Sequence, residues 1–198
     1  LTKCNYKGVS GTSVAQDFVE LPSQIMEHWA VEPEVLKLYA KHYETREVIP
    51  DELITKIQNQ GTFNQGFMTT ELLAAALLDM ELHNLTDTEN LNVVAFEKET
   101  MDKLGLIPEI APRYRATYFS HIIGGYAAGY YSYLWAEVLD TDAFEAFKEH
   151  GVFDKNTADS FRKNILEKGG TEDPMTLYRG FRGADPSLEP LLKNRGLK

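Results

Sequence analysis

The run Glu71-Leu72-Leu73-Ala74-Ala75-Ala76-Leu77-Leu78-Asp79-Met80-Glu81-Leu82-His83 decides the class of this chain. Its composition is strongly helical. Leu72, Ala75, Ala76 and Met80 fall on one face, while Leu73, Leu77 and Leu78 widen the apolar side. So broad an apolar surface predicts a helix packed between others. Thr69 or Thr70 is the expected cap.

The same grammar extends in both directions. Upstream, Pro50-Asp51-Glu52 suits a first helical turn, with Leu53, Ile54 and Ile57 as the apolar stripe and Gly61 as the stop. Downstream, Thr86 or Asp87 starts a helix that closes near Gly105. Asp140 or Thr141 opens another ending at Gly151, and Asp154 opens one ending near Gly169. Asp173-Pro174 and Asp185-Pro186 each set a capping acid before a first-turn proline. Asn5 to Thr12, weakened by Gly8 and Gly11, reads as a short extended or looped stretch. No alternating run with turn signals predicts a strand, and there is no internal repeat or low-complexity linker. The expected fold class is all-α, mostly helical, with residues 1–198 forming one continuous unit.

Composition narrows the function. The chain has 198 residues, 43% hydrophobic and 25% charged, with a formal charge of −10 and a pI near 5.0. That length suffices for a sizeable core. An acidic surface repels phosphate backbones and anionic lipid, so neither nucleic acid nor a membrane surface is an expected partner. No apolar run is long enough to span a bilayer. Leu1 opens without an initiator Met or a signal-peptide pattern, so the natural start and any targeting signal are expected to be missing. The cytoplasm is the favoured compartment, with the periplasm as the alternative. Cys4 is the single cysteine and has no disulfide partner. His28, His42, His83, His121 and His150 are scattered, no two of them three or four residues apart. No helix here offers a histidine pair to a metal, and no complete catalytic zinc site is expected in this chain alone.

Two segments concentrate chemistry. In Asp17-Phe18-Val19-Glu20-Leu21-Pro22-Ser23-Gln24, two acids sit among apolar residues. Asp17, Glu20 and Gln24 are spaced to share one helix face. A carboxylate on an apolar helix is costly to bury without a cation or donors. One reading makes Glu20 a metal ligand with Gln24 or Asp17 supporting it; the other makes the acids a solvated face beside a core stripe. Spacing alone favours the solvated face.

The second segment is His121-Ile122-Ile123-Gly124-Gly125-Tyr126-Ala127-Ala128-Gly129-Tyr130-Tyr131-Ser132-Tyr133-Leu134-Trp135. Tyr126, Tyr130, Tyr133 and Glu137 follow the spacing of one helix face. Gly124 and Gly125 give backbone freedom just before it, suiting a loop that approaches a ligand or moves. A phenol stays protonated near neutral pH and donates to an oxygen that gains negative charge. An aromatic stripe packed on a neighbouring helix is the plainer reading, and a lone His121 is more often structural than catalytic. Upstream, Arg113-Tyr114-Arg115 offers an arginine fork that suits a peptide's terminal carboxylate.

Taken together, the two segments resemble the thimet-oligopeptidase family of zinc peptidases. Ser10-Gly11-Thr12, Asp17-Phe18-Val19-Glu20 and Pro22-Ser23-Gln24 look like the stretch following that family's H-E-x-x-H helix. His121, Gly124-Gly125-Tyr126 and Tyr130-Tyr131-Ser132-Tyr133 resemble its mobile loop and tyrosine helix. The order and separation of the blocks agree, and the likeness runs over nearly the whole chain. Pro112-Arg113-Tyr114-Arg115 and Gly169-Gly170-Thr171-Glu172-Asp173-Pro174 are closest to the dipeptidyl carboxypeptidase branch.

The resemblance implies a zincin-like, deep-channelled helical fold of which this chain forms part of one side. It implies Glu20 as the third protein ligand of zinc, and Tyr133 and Tyr126 as groups that stabilise the oxyanion or hold the substrate carbonyl. His121 would lie near the substrate, with Tyr130 on the same wall; Gly125 of the glycine loop and Arg113 of the arginine fork are the other candidates for binding substrate. The H-E-x-x-H motif, which brings two zinc histidines and the general-base glutamate, is absent. The chain is therefore expected to be the C-terminal part of a catalytic domain. The full protein would take dipeptides from the C-termini of short peptides, and the isolated piece, without its N-terminal partner region, would be inactive. The alternatives are an endopeptidase of the same family and a non-catalytic helical module that grips a peptide.

Overall fold

All of residues 1–198 are described in the computed structural model, and the chain is built from nine α-helices. They are α1 (Leu21–Val31), α2 (Pro33–Tyr39), α3 (Asp51–Gly61), α4 (Gln65–His83), α5 (Val93–Lys103), α6 (Ser132–His150), α7 (Lys155–Phe161), α8 (Pro174–Arg182) and α9 (Glu189–Asn194). The only pairing of extended backbone is an isolated bridge between Lys41 and Val48. The all-α class read from the sequence is the observed class.

Several boundaries fall where local chemistry, rather than the nearest polar residue, sets them. Helix α4 begins at Gln65, well before Glu71, because Asn64 takes the left-handed conformation (φ 57°, ψ 29°) and turns the chain there. Thr70 therefore lies inside the helix, where its hydroxyl donates to the Gly66 carbonyl at 2.7 Å. Helix α5 starts at Val93, not at Thr86 or Asp87. Asn92 is its cap, accepting from the Ala95 amide at 3.1 Å, while Asp87 accepts from the Glu89 amide in a separate turn. Asp140 and Thr141 do not open a helix; both are buried inside α6. Pro50 directly precedes α3 as its cap residue.

Asp154 and Asp173 cap α7 and α8 as read, accepting from Thr157 and Thr176 amides at 2.7 and 3.0 Å. A π-helical turn (Arg162–Leu166) extends α7 toward Gly169. Asp185-Pro186 caps nothing: Asp185 pairs with Arg179 at 2.7 Å, and α9 begins at Glu189. Asn5 to Thr12 is irregular apart from a 3-10 turn over Lys7–Val9.

The chain clusters into two compact units, residues 1–63 with 135–198, and residues 64–134. In the first, Leu21 and Ile25 of α1 pack with Leu139, Phe144 and Phe147 of α6, Phe161 of α7, and Leu177 and Tyr178 of α8. Trp29 meets Phe144 and Phe147 edge-on, and its indole N–H donates to the Val152 carbonyl at 2.8 Å. In the second, α4 divides its apolar surface between two clusters. Ala75 and Ala76 face Phe119, Ile122 and Tyr130, whereas Ala74 and Leu78 face Met101. That division explains the unusual width of its apolar side. Leu73, Leu77 and Met80 nonetheless remain exposed.

Candidate functional sites: a tyrosine cluster and an acidic turn

The aromatic segment does not form one continuous helix. Ala116–Tyr118 and Ser120–Ile123 are 3-10 turns, residues 124–131 run through further turns, and α6 starts only at Ser132. Tyr126 and Tyr130 thus precede the helix on whose face the spacing placed them. The cause is Ala128, which takes φ 51°, a left-handed conformation incompatible with a continuing α-helix. Glu137 likewise leaves the proposed face, since its carboxylate pairs with Arg195.

The rings nevertheless converge. Tyr126 and Tyr133 stack with centroids 5.3 Å apart and planes 3° from parallel. His121 lies 5.7 Å from Tyr126, 5.3 Å from Tyr130 and 6.1 Å from Tyr133, meeting all three edge-on. Tyr130 meets Tyr133 at 5.1 Å, and Tyr114 lies 5.2 Å from His121. A chain of i to i+3 backbone bonds (Gly129 to Tyr126, Ser132 to Gly129) coils the backbone tightly enough to bring these side chains together.

Tyr130 is the innermost member, only 3% exposed. Burial pushes its phenol up to about 12, against the opposing pull of Arg113. It therefore stays a neutral hydrogen-bond donor throughout the physiological range. His121 is half-buried, and its Nδ1 has no hydrogen-bond partner. Of the two arginines, Arg115 is engaged: its Nε lies 2.5 Å from the buried Glu97, which also accepts the Ala116 amide at 2.7 Å. Arg113 stays exposed. Gly124 and Gly125 are exposed as well, with open space where a Cβ would stand.

Glu20 belongs to the first unit. It precedes α1 rather than riding on it, so Asp17, Glu20 and Gln24 do not share one helix face. The Ser23 hydroxyl lies 2.6 Å from Glu20 Oε2 and 3.0 Å from its carbonyl, holding the half-buried side chain at the helix entrance. Gln24 reaches instead to Asp140, donating from Nε2 to Oδ2 at 3.0 Å, and His28 Nε2 lies 2.6 Å from Asp140 Oδ1. No three His, Cys, Asp or Glu side chains gather closely enough to hold a metal ion. The residues of this chain therefore do not fit a zinc ion by themselves, and Glu20 could supply only one ligand.

Two groups escape the sequence reading, one beside Glu20 in the first unit and one beside the tyrosine cluster in the second. Ser23 stood in the quoted motif without a role. Asp79 stood unremarked inside the apolar run of α4, yet it is fully buried and accepts from the Ala128 and Tyr130 amides at 3.0 and 2.9 Å. An acid flanked by Leu78 and Met80 was the available signal.

Comparison with known proteins settles the relationship. The model for peptidase family M3 matches residues 1–197. The chain belongs to peptidase family M3. Within that family it is 46% identical over 199 residues to the dipeptidyl carboxypeptidase of Escherichia coli (strain K12), covering 97% of this chain and 29% of that protein. It is 42% identical to oligopeptidase A of the same organism, covering 100% of this chain and 30% of the relative. Thimet-like oligopeptidase of Dictyostelium discoideum is 31% identical over 99% of this chain and 29% of its own length. The chain thus spans less than a third of each of these M3 relatives. The likeness read from the two segments is a family relationship, and both dipeptidyl carboxypeptidase and oligopeptidase names stand among the relatives.

Proposed function

We propose that the protein to which these 198 residues belong is a zinc peptidase that releases dipeptides from the C-termini of short peptides. The observation that carries this reading is the convergence of His121, Tyr126, Tyr130 and Tyr133 into one ring cluster. Such a group suits a carbonyl oxygen that gains negative charge, because neutral phenols donate to it and apolar ring faces limit water around it. Tyr133 and Tyr126 would hold that oxygen, with His121 beside the substrate. Tyr130 would form the inner wall and Gly125 the exposed rim. Arg113, exposed and close enough to influence Tyr130, would take the terminal carboxylate of the peptide. Glu20 would be one ligand of a zinc ion held mainly by residues outside this chain. The metal would supply Lewis acidity for the carbonyl and for water.

The dipeptidyl reading is favoured by the 46% identity to a dipeptidyl carboxypeptidase, and an endopeptidase reading by the 42% identity to oligopeptidase A. Incubating the full-length protein with a short peptide and following products by mass spectrometry separates them. Stepwise loss of two residues from the C-terminus, stopped by a chelator, is expected. Cleavage at internal bonds alone assigns it to the oligopeptidases, and binding without cleavage makes it a peptide-gripping module. The 198-residue piece alone is expected neither to hydrolyse peptide nor to take up zinc stoichiometrically.

A further inference from the structure

Asp79 is an anomaly on its helix. It is wholly buried next to the equally buried Leu78, and a buried carboxylate is tolerated only when donors surround it. Three do. The Ala128 amide donates to Oδ1 and the Tyr130 amide to Oδ2, at 3.0 and 2.9 Å. His83 Nδ1, one helical turn further along α4, lies 2.8 Å from Oδ1 and 2.9 Å from the Asp79 carbonyl.

The two amides belong to the left-handed turn at Ala128, the point where the backbone leaves helical geometry between Tyr126 and Tyr130. A non-glycine residue stays in that conformation only where its surroundings hold it there. No other side chain bonds both of these amides, so the carboxylate fixes how far the chain coils before α6 begins. That coil sets the stacking of Tyr126 on Tyr133 and the approach of both to His121.

We propose that Asp79, oriented by His83, is a positioning residue for the tyrosine cluster: it clamps the Ala128 turn so that the Tyr126 and Tyr133 phenols point together at the substrate oxygen. This rests on the peptidase reading above. Asp79 itself touches no substrate. Its contribution is made in the transition state, where a displacement of the donors by about 1 Å is expensive in rate but not in ground-state binding.

The test uses the full-length protein with Asp79→Asn, Asp79→Ala and, as a control, Asp102→Asn, whose carboxylate is exposed and paired only with Lys98. Asparagine keeps the shape but turns a donor toward one amide. Asp79→Asn is expected to lower kcat roughly 10- to 100-fold while KM changes less than about threefold. Hydrogen exchange at residues 128 and 130 should quicken in the same variant, and Asp102→Asn should change neither. A kcat within about twofold of wild type, with quickened exchange, would leave Asp79 purely structural and overturn the proposal. Unchanged exchange in both Asp79 variants would overturn it too, and Asp79→Asn answers the question even if Asp79→Ala does not fold. A wild-type protein that cleaves no peptide defeats the peptidase reading instead; exchange at the two amides then still decides whether Asp79 holds the turn.

Discussion

Gly170 donates its amide to the carbonyl of Val9 across 2.8 Å, joining the turn before α8 to the loop that leads toward Glu20. Around this bond the backbones touch. A Cβ on Gly169 would stand 2.2 Å from the Val9 oxygen, and one on Gly170 would stand 2.3 Å from the Ser13 oxygen. Cys4 adds a contact from the same loop, its thiol donating to the Lys168 carbonyl at 3.1 Å. The Gly169-Gly170 pair therefore seats the segment that ends at the candidate ligand Glu20.

Gly169→Ala should be the most damaging glycine substitution in the chain. It combines a left-handed backbone (φ 52°) with a clash against another backbone, which has no rotamer to change. Overpacking and strain together predict a loss of about 2–4 kcal/mol. Urea denaturation followed by circular dichroism reads it directly. Gly66→Ala, in α4 with open space at its Cβ, should by contrast be neutral or stabilising by up to about 1 kcal/mol. Equal midpoints for the two variants would contradict this account of the turn.

The cluster around Asp140 predicts a pH effect. Burial raises the Asp140 carboxyl above the ordinary range, and the bonds from His28 and Gln24 offset this only in part. A raised folded-state value means that the native state holds the proton more tightly than the unfolded chain. The associated stability is complete below the ordinary Asp value, about 3.9, and fades as pH rises through the folded-state value. Asp140→Asn removes the ionisation. Its stability relative to wild type should therefore improve as the pH goes from acid toward neutral, as read from denaturation midpoints at several pH values. A difference that is flat with pH, or that grows in favour of wild type, refutes the assignment.

What the sequence made legible and what it hid have physical causes. Wide apolar runs such as Glu71–His83 announce helices because their burial depends on periodicity alone, and Asp154 and Asp173 announce caps because a cap acts within three residues. Asp140 misled because a capping acid and a buried, paired acid look alike until the partner is known, and that partner, His28, is 112 residues away. The tyrosines do come together in the fold, but not for the reason their spacing gives. Helix spacing joined Tyr126, Tyr130 and Tyr133, whereas the turn at Ala128, held by a carboxylate on α4, does so in the fold. The contact between Ser23 and Glu20 is side-chain geometry that the motif alone does not give.

Tyr178 tests the first unit's polar core. Its ring is fully buried, and its hydroxyl lies 2.6 Å from Asp142 Oδ2 and 3.2 Å from the Leu139 carbonyl. Arg182 also approaches Asp142, at 3.4 Å. Tyr178→Phe keeps the apolar packing but withdraws a donor from a buried carboxylate. The expected cost is about 1–3 kcal/mol, measured by denaturant titration. The double variant Tyr178→Phe with Asp142→Asn should cost less than the two single changes combined, since the second removes the charge left unsatisfied by the first.

Tyr130 gives a prediction that concerns the candidate site without requiring catalysis. Burial pushes its phenol up to about 12, above the range of an ordinary tyrosine. The folded state thus favours the neutral form. Its share of stability is whole below about pH 10 and is lost as pH climbs toward about 12. Absorbance titration of the native protein should show no difference between wild type and Tyr130→Phe up to about pH 10.5, because the buried phenol has barely begun to ionise there. Above that, the wild type should lose stability with rising pH and the variant should lose less. If the wild type ionises one tyrosine more than the variant below about pH 10, the phenol is not desolvated. Tyr130 would then be no inner wall, and the packed cluster around His121 would have to be more open than its ring distances require.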